Sequence, residues 1–368
     1  MVRSHNNLGQ TGENQMGVVR SIIIQVKRNT HGDKSNAPPG IKTDYEKVLA
    51  VGTGGLIDEK VAAQILSAEI SPRHQESTLA VQSSLQYVLE SKTGRDFLKA
   101  YAAFREASCV YPSTSRNWHS GERIPLVHAE EVANDAIVLA FQAHYKSAYQ
   151  RLREVIEMVL LQVYFAKLKD KSVVGKWGRG EIETPPLKTM LGEMAKDAHF
   201  QSGDKKLDIA AKLRRTYWDL GAYTHTRGVP TIDMGLVGSN ILAFTPDALD
   251  RFFVLFELVC RLCITFIAIF FPQAIISVPA FAKFGHLDPV WIRRSDQVKC
   301  IRSAPSEADL NMLEGLAKSN SWFETLCAKI NSLPDLSAPE VEETYDFVIN
   351  AGVDAVVDAL KEIDKLLE

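Results

Sequence analysis

Nine apolar residues place the strongest constraint on this chain. Ile137, Phe141, Tyr145, Ala148, Leu152, Ile156, Val159, Val163 and Ala166 recur at three- and four-residue steps. That spacing puts them on one face of an α-helix. A stripe of about 30 residues is roughly 45 Å of helix. A surface so long needs several partners along it. The chain is therefore expected to build a bundle with this helix as its spine.

The flanking sequence carries the same period. Val61, Ile65 and Ala68 suit one helix, Leu79, Leu85, Val88 and Leu89 a second, and Phe97, Leu98, Tyr101 and Phe104 a third. Pro185 and Pro186 suit the first turn of a helix carrying Leu187, Met190, Leu191 and Met194, because proline there loses no hydrogen bond. Another helix is expected over 205–220, stopping at Gly221 as a left-handed cap. Thr245, Pro246 and Asp247 read as a cap, a first-turn proline and an acid at the positive helix end. The very apolar helix that follows stops before Pro272. Short helices around Leu310, Leu313, Leu316 and Ala317 and around Trp322, Phe323, Leu326 and Ile330 precede an acidic last helix over 341–367.

The fold class expected is mainly α: a long-helix bundle with helical flanking segments and at most a small N-terminal β element. That element is the run Ser21 to Val26. Composition and turn chemistry divide the chain into a loosely ordered segment 1–57, a helical flank 58–125, a central bundle 126–288 and a small helical module 289–368. The stretch 109–125 reads as a loop, and the glycine- and proline-rich stretch 173–186 as a connector.

At 368 residues, 46% hydrophobic and 24% charged, the composition is globular and excludes a wholly disordered chain. A net charge of −3 leaves no global basic field for nucleic acid, so any such binding needs a local patch. Five cysteines are too few for a disulfide scaffold and fit reduced thiols in the cytoplasm. The first sixteen residues are polar, without the apolar core of a secretion signal. The run Phe252 to Phe271 is long enough to span a bilayer, but it contains Glu257 and Arg261. Mid-span charges cost about 2.5–3.5 kcal/mol each on insertion. As an i,i+4 pair they suit the central helix of a packed core, so no membrane is expected, with a spanning helix as the alternative.

The densest cluster of chemistry is 205–228. Arg214 and Trp218 are four apart, as are Arg215 and Asp219. Tyr223, His225 and Arg227 follow the expected cap. Cations and aromatics gathered at one helix end suit phosphate contact plus base stacking, which is how single-stranded RNA is gripped. Histidine there can act as general acid or base. The alternative is a structural helix end in which arginine and tryptophan stack and pair with carboxylates. Lys176 and Trp177, in a basic stretch with Lys167, Lys169, Lys171 and Arg179, could track a phosphate backbone; a solvated charge run is the alternative. Arg116, Trp118 and His119 form a loop cluster that could meet anions. Cys260 and Cys263 lie inside the apolar helix with no partner set for zinc, so they read as core residues and no metal or cofactor is expected. Gly52 to Gly55 lacks the lysine and hydroxyl of a P-loop and reads as a turn.

Three segments carry a resemblance: AYQRLREVIEMVLLQVYF over 148–165, LRRTYWDLGAYTHTRG over 213–228, and the apolar helix ending FFP at 270–272. Together they resemble helical-bundle proteins of the HEPN kind, in particular those of bacterial defence and toxin systems. The resemblance covers roughly residues 130–275. It implies an arginine–glutamate pair on a long helix, here Arg153 with Glu157 or Glu154, and a tyrosine-to-histidine motif, here Tyr223, Thr224 and His225. HEPN ribonucleases place four to six residues between an arginine and a histidine. Arg123 and His128 match that spacing, with apolar residues and Pro125 between them where the family carries a polar residue after the arginine. Arg215 and His225 lie outside the spacing. What the resemblance implies is RNA binding and metal-independent cleavage, with Arg123 and His128, or Arg215 and His225, as charge stabiliser and acid/base. It also implies a homo-oligomer and a controlling protein partner from the same system. The other class of function is a non-catalytic helical adaptor that binds a protein partner or a second copy.

Overall fold

The computed structural model describes residues 59–112, 121–224, 244–289, 291–351 and 353–367. The expected strand at 21–26, the turn at 52–55 and the cluster at 116–119 lie outside these residues, as do His225 and Arg227. Among the described residues there are fifteen α-helices and no strand, so the chain is a mainly α helical bundle. Packing divides the chain into two units, 1–71 and 72–368. Of the first, only the helical residues 59–71 are described.

The helices that position the site are α1 (Glu59–Glu90), α2 (Lys92–Ala107), α3 (Ile124–Phe141), α4 (Tyr145–Lys167), α5 (Ser172–Gly178), α6 (Leu187–Met194), α7 (Ala198–Leu207), α8 (Ile209–Thr224) and α9 (Pro246–Phe270). The C-terminal set is α10 (Ala280–Phe284), α11 (Ser295–Ile301), α12 (Glu307–Ala317), α13 (Ser321–Ser332), α14 (Ala338–Asn350) and α15 (Val353–Leu367).

The axis of the fold is α9. It opens with Thr245 extended, Pro246 in the first turn and Asp247 at the positive end, and it stops before Pro272. Phe252, Phe253, Phe256 and Phe266 are fully buried along it. On α2, Phe97 stacks on Phe253 with ring centres 4.6 Å apart and sets its edge against Phe256 at 4.8 Å. Phe200 of α7 stacks on Phe270 at 5.4 Å. Helices from the expected flank and the expected central bundle thus share one core. Ile301, Leu313 and Leu316 of α11 and α12 join it, while Phe284, Trp291, Ile292, Phe323, Ile330 and Ile363 form a smaller cluster. By length and composition α9 is the one helix among the described residues able to cross a bilayer; its most apolar window is 72% buried against protein neighbours. Glu257 and Arg261, expected as an i,i+4 pair, make no ion pair within 4.0 Å. Cys260 and Cys263 are fully buried and free. Burial pushes both thiols up, so they stay protonated.

Several element boundaries differ from the sequence reading. The long stripe is two helices. α3 ends at Phe141, Ala143 turns left-handed at φ +61°, and α4 begins at Tyr145. The His144 N–H donates to the Leu139 carbonyl at 2.8 Å and closes the corner. α3 then returns along α4: the Leu126 N–H near its start donates to Gln162 Oε1 near the end of α4 at 3.2 Å. A left-handed alanine costs roughly 1–2 kcal/mol. Burying Ala129, Ala133, Ala136 and Ala140 against α4 offsets it.

α1 is one helix instead of two. Its Leu79, Leu85 and Leu89 are 62%, 51% and 69% exposed. The helix expected over 205–220 is the end of α7 and the start of α8, parted at Asp208 with φ +51°. Gly221 lies inside α8, not at its cap. The expected connector at 173–178 is the helix α5, and the last acidic helix divides after Asn350 into α14 and α15.

Asp197 caps α7 by accepting from the Phe200 N–H at 3.0 Å, and it pairs with Lys167 at the end of α4 at 2.6 Å. Partial burial pushes this carboxyl up, but Lys167 and the Phe200 N–H outweigh it and hold it below its ordinary value. Asp197 therefore stabilises the fold at neutral pH and loses that contribution as acid protonates it. Asp197→Ala is expected to cost about 1 kcal/mol at pH 7. Urea unfolding of both proteins should show the gap closing as pH falls through the carboxylate range.

Candidate nucleic-acid interface

α4 and α8 pack side by side, and their contact brings two of the resembling segments together. On α4, Tyr149, Arg153 and Glu157 stand at successive four-residue steps. On α8, Tyr217 and Tyr223 face them. Tyr149 and Tyr223 stack with ring centres 4.6 Å apart. The Arg153 guanidinium lies over the Tyr217 ring at 4.2 Å and donates to its hydroxyl at 2.5 Å. The Tyr217 hydroxyl in turn donates to Glu157. Arg153 and Glu157 are 3.9 Å apart, so tyrosine bridges the pair. Gly221 packs against this pair: a Cβ there would stand 3.6 Å from the Arg153 guanidinium, an ordinary contact distance.

Burial pushes the hydroxyls of Tyr149, Tyr217 and Tyr223 above the ordinary range, and Glu157 adds to the shift at Tyr217. All three remain neutral at physiological pH. Tyr149 Oη and Arg153 Nε are buried with no hydrogen-bond partner. This cluster is the seam between α4 and α8, and it sets which side of α8 faces inward.

The opposite side of α8 is basic. Arg214, Arg215 and Trp218 are exposed, with Trp218 at 52%. Lys212 is exposed one turn earlier, and Lys205 and Lys206 are exposed at the end of α7. Arg215 and Asp219, spaced for a pair, make no ion pair with each other within 4.0 Å, and Arg214 makes none with a described carboxylate. By contrast Arg105, Arg151, Arg179, Arg294 and Arg302 each meet a carboxylate.

The remaining candidates lie elsewhere. Arg123 precedes the first turn of α3. His128 sits one turn into that helix between two carboxylates, Nδ1 3.4 Å from Glu131 and Nε2 3.4 Å from Glu154. Phosphate would meet repulsion there. Arg215 lines a cavity between α8 and α9 that contains neither Arg123 nor His128. Lys176 is exposed, but Trp177 is half-buried, with its N–H given to Thr184 at 3.0 Å and its ring against Phe165 at 5.4 Å. Its edge and donor are thus engaged within the fold.

No family model, curated protein or solved structure matches the chain. The site therefore rests on its own geometry. Sequence reasoning passed over Tyr149, Tyr217, Lys212 and Arg261. The Tyr149, Arg153 and Glu157 ladder is legible as an i,i+4,i+8 pattern. Lys212 and Arg261 become neighbours only when α8 meets α9. Among the described residues no group of histidine, cysteine and carboxylate side chains could hold a metal ion.

Proposed function

We propose that this chain is a HEPN-like helical protein that binds single-stranded RNA along the outer face of α8, acting in the cytoplasm. One observation carries the reading: Arg214, Arg215 and Trp218 stand exposed together, their cations free of carboxylate partners among the described residues. An unpaired guanidinium attracts phosphate, and an exposed indole offers a face for a base. The tyrosine–arginine seam with α4 supports the reading by holding Tyr217 and Tyr223 inward, which leaves Arg214 and Trp218 on the outer side. Arg227 and His225 follow in sequence, outside the described residues.

Metal-independent cleavage needs an imidazole beside a cation. The carboxylates around His128 disfavour Arg123 and His128 for that task, which leaves Arg215 with His225. Fluorescence anisotropy with a labelled oligouridine tests binding. Trp218→Ala should weaken it about tenfold, as loss of one stacked base does. Arg214→Ala should lower the salt slope by about 0.7. A double variant that binds as the parent does refutes the reading. His225→Ala should abolish cleavage and relieve growth arrest on induction, while His128→Ala changes neither. The same resemblance assigns the protein to a bacterial defence or toxin system with a partner protein from that system.

A second reading rests on Leu79, Leu85 and Leu89, exposed on α1 with the last two one turn apart. In that reading the bundle is an adaptor that self-associates or holds a protein partner through α1. Light scattering on a Leu85→Glu, Leu89→Glu double variant separates the two: an adaptor loses its assembly and no RNA binding accompanies it.

A further inference from the structure

Beyond α9 the chain builds a groove that shares no residue with the outer face of α8. The segment from Ile275 to Ser277 lies against α11 and the end of α12 around a cavity of about 450 Å³. Buried Ile275 and Val298 and half-buried Ile276 form its apolar floor. Arg302, just after α11, fixes the walls. Its guanidinium donates to the Ile275 carbonyl at 3.0 Å and pairs with Glu314 of α12 at 2.6 Å. Ser277 and Ser295 line this cavity and also a second of about 370 Å³, whose lining includes Val278, Phe281 and Ile292. The two cavities therefore run on from one another.

The charges of the first cavity do not balance. Elsewhere in the fold Lys99, Lys196 and Lys361 each pair with the acid three residues before them, at 2.6–3.3 Å. Lys299 has Asp296 at the same spacing, yet it makes no ion pair within 4.0 Å with a described carboxylate and lines the groove instead. Lys318 has Glu314 four residues before it, but Arg302 takes that carboxylate. Both lysines are exposed. Two cations beside an apolar floor attract a ligand that carries carboxylates beside apolar side chains. The backbone favours an extended ligand. The segment 276–279 is not helical, and among the described residues neither the Ser277 N–H nor its carbonyl has a backbone partner. An extended peptide can pair with such a backbone.

We propose that this groove binds an extended segment of a partner protein in which acidic residues alternate with apolar ones. The carboxylates meet Lys299 and Lys318, the apolar side chains settle on Ile276 and Val298, and the peptide backbone pairs with Ser277. This goes beyond the RNA reading, since none of these residues belongs to α8. It is also a different surface from the exposed leucines of α1.

Selection of a random-peptide display library on the full chain, followed by fluorescence anisotropy of the enriched peptide, tests it. Enriched sequences should carry aspartate or glutamate next to valine, isoleucine or leucine, and their binding should weaken as salt rises. A Lys299→Glu, Lys318→Glu double variant changes two exposed side chains outside any described ion pair, so it should fold as the parent does. It should weaken the peptide at least about tenfold. Replacing the acids of the peptide by lysine should restore binding to the double variant and abolish binding to the parent, an exchange that a folding defect cannot produce. Oligouridine binding should be the same in parent and double variant, so this proposal and the RNA reading fail separately. The proposal is overturned if no peptide is enriched, if the enriched peptides lack acids, or if the double variant binds them as tightly as the parent. It is also overturned if light scattering shows a dimer that the double variant dissolves, since the groove then holds a second copy.

Discussion

Phe97→Ala is expected to destabilise the fold by about 3–5 kcal/mol. Its ring is 1% exposed and meets three phenylalanines of α9: it stacks on Phe253, sets an edge on Phe256 and tilts against Phe252. Truncation removes the transfer energy of a phenyl group and leaves a void. The void cannot collapse easily, because α2 is pinned at its start. Thr93 donates to Asp250 of α9, and Tyr87 at the end of α1 donates to the same carboxylate at 2.9 Å. Thermal unfolding followed by circular dichroism should show a midpoint lowered on the order of 10 °C. Leu98, the next residue, is 38% exposed. Its alanine variant should lose under about 1 kcal/mol. Equal losses at the two positions would contradict the packing described for α2.

Gly94→Ala should cost about 3 kcal/mol, for a different reason. Gly94 sits in the first turn of α2, where the chain leaves α1 through Ser91. A Cβ there would run into the Val88 carbonyl oxygen and stand 2.7 Å from the Val88 Cα. Both are backbone atoms, so no side chain can swing away. The corner must open, and the Ser91 cap, which accepts the Gly94 N–H at 2.9 Å, opens with it. Gly192 in α6 is the matched control: a Cβ there meets nothing within 4 Å. Gly192→Ala should gain about 0.5–1 kcal/mol from helix propensity. Denaturant midpoints should therefore move in opposite directions for the two glycine variants. A loss at both would mean that Gly94 has no special crowding.

The helical nature of the chain was legible residue by residue. The start of α9 at Pro246 and its stop before Pro272 fall where the sequence put them, although the Thr245 side chain makes no capping hydrogen bond, so the first-turn proline and Asp247 carry the start. The buried faces of α2, α4 and α9 follow from apolar spacing, because a side chain facing the core must repeat near 3.6 residues.

What spacing does not encode is direction. The apolar stripe steps from Phe141 to Tyr145 across Gln142, Ala143 and His144 with no glycine or proline between, yet the chain reverses there. The left-handed alanine is tolerated only because α3 gains the face of α4 by turning back. Leu79, Leu85 and Leu89 show the converse: apolar residues at helical spacing that face outward, 62%, 51% and 69% exposed.

The candidate site divides in the same way. Arginine, tryptophan and tyrosine on α8 announce themselves as a cluster, so the basic-aromatic face was readable. Which side of the helix each residue takes was not. Tyr217 and Tyr223 turn inward onto Arg153 and Tyr149, while Arg214 and Trp218 stay outside. Arg215 stays outside with them and also borders a cavity lined by Arg261, which makes no ion pair with its expected partner Glu257.

From its residues alone the chain was bound to be helical, with a phenylalanine-rich axis and a cationic helix near its middle, because local spacing, caps and composition act over a few residues. Only the three-dimensional packing decided where the long stripe folds back, which cations keep a carboxylate and which stand together without one. Those outcomes depend on contacts between segments far apart in sequence, whose energies exceed the local preference for a straight helix or a nearby ion pair.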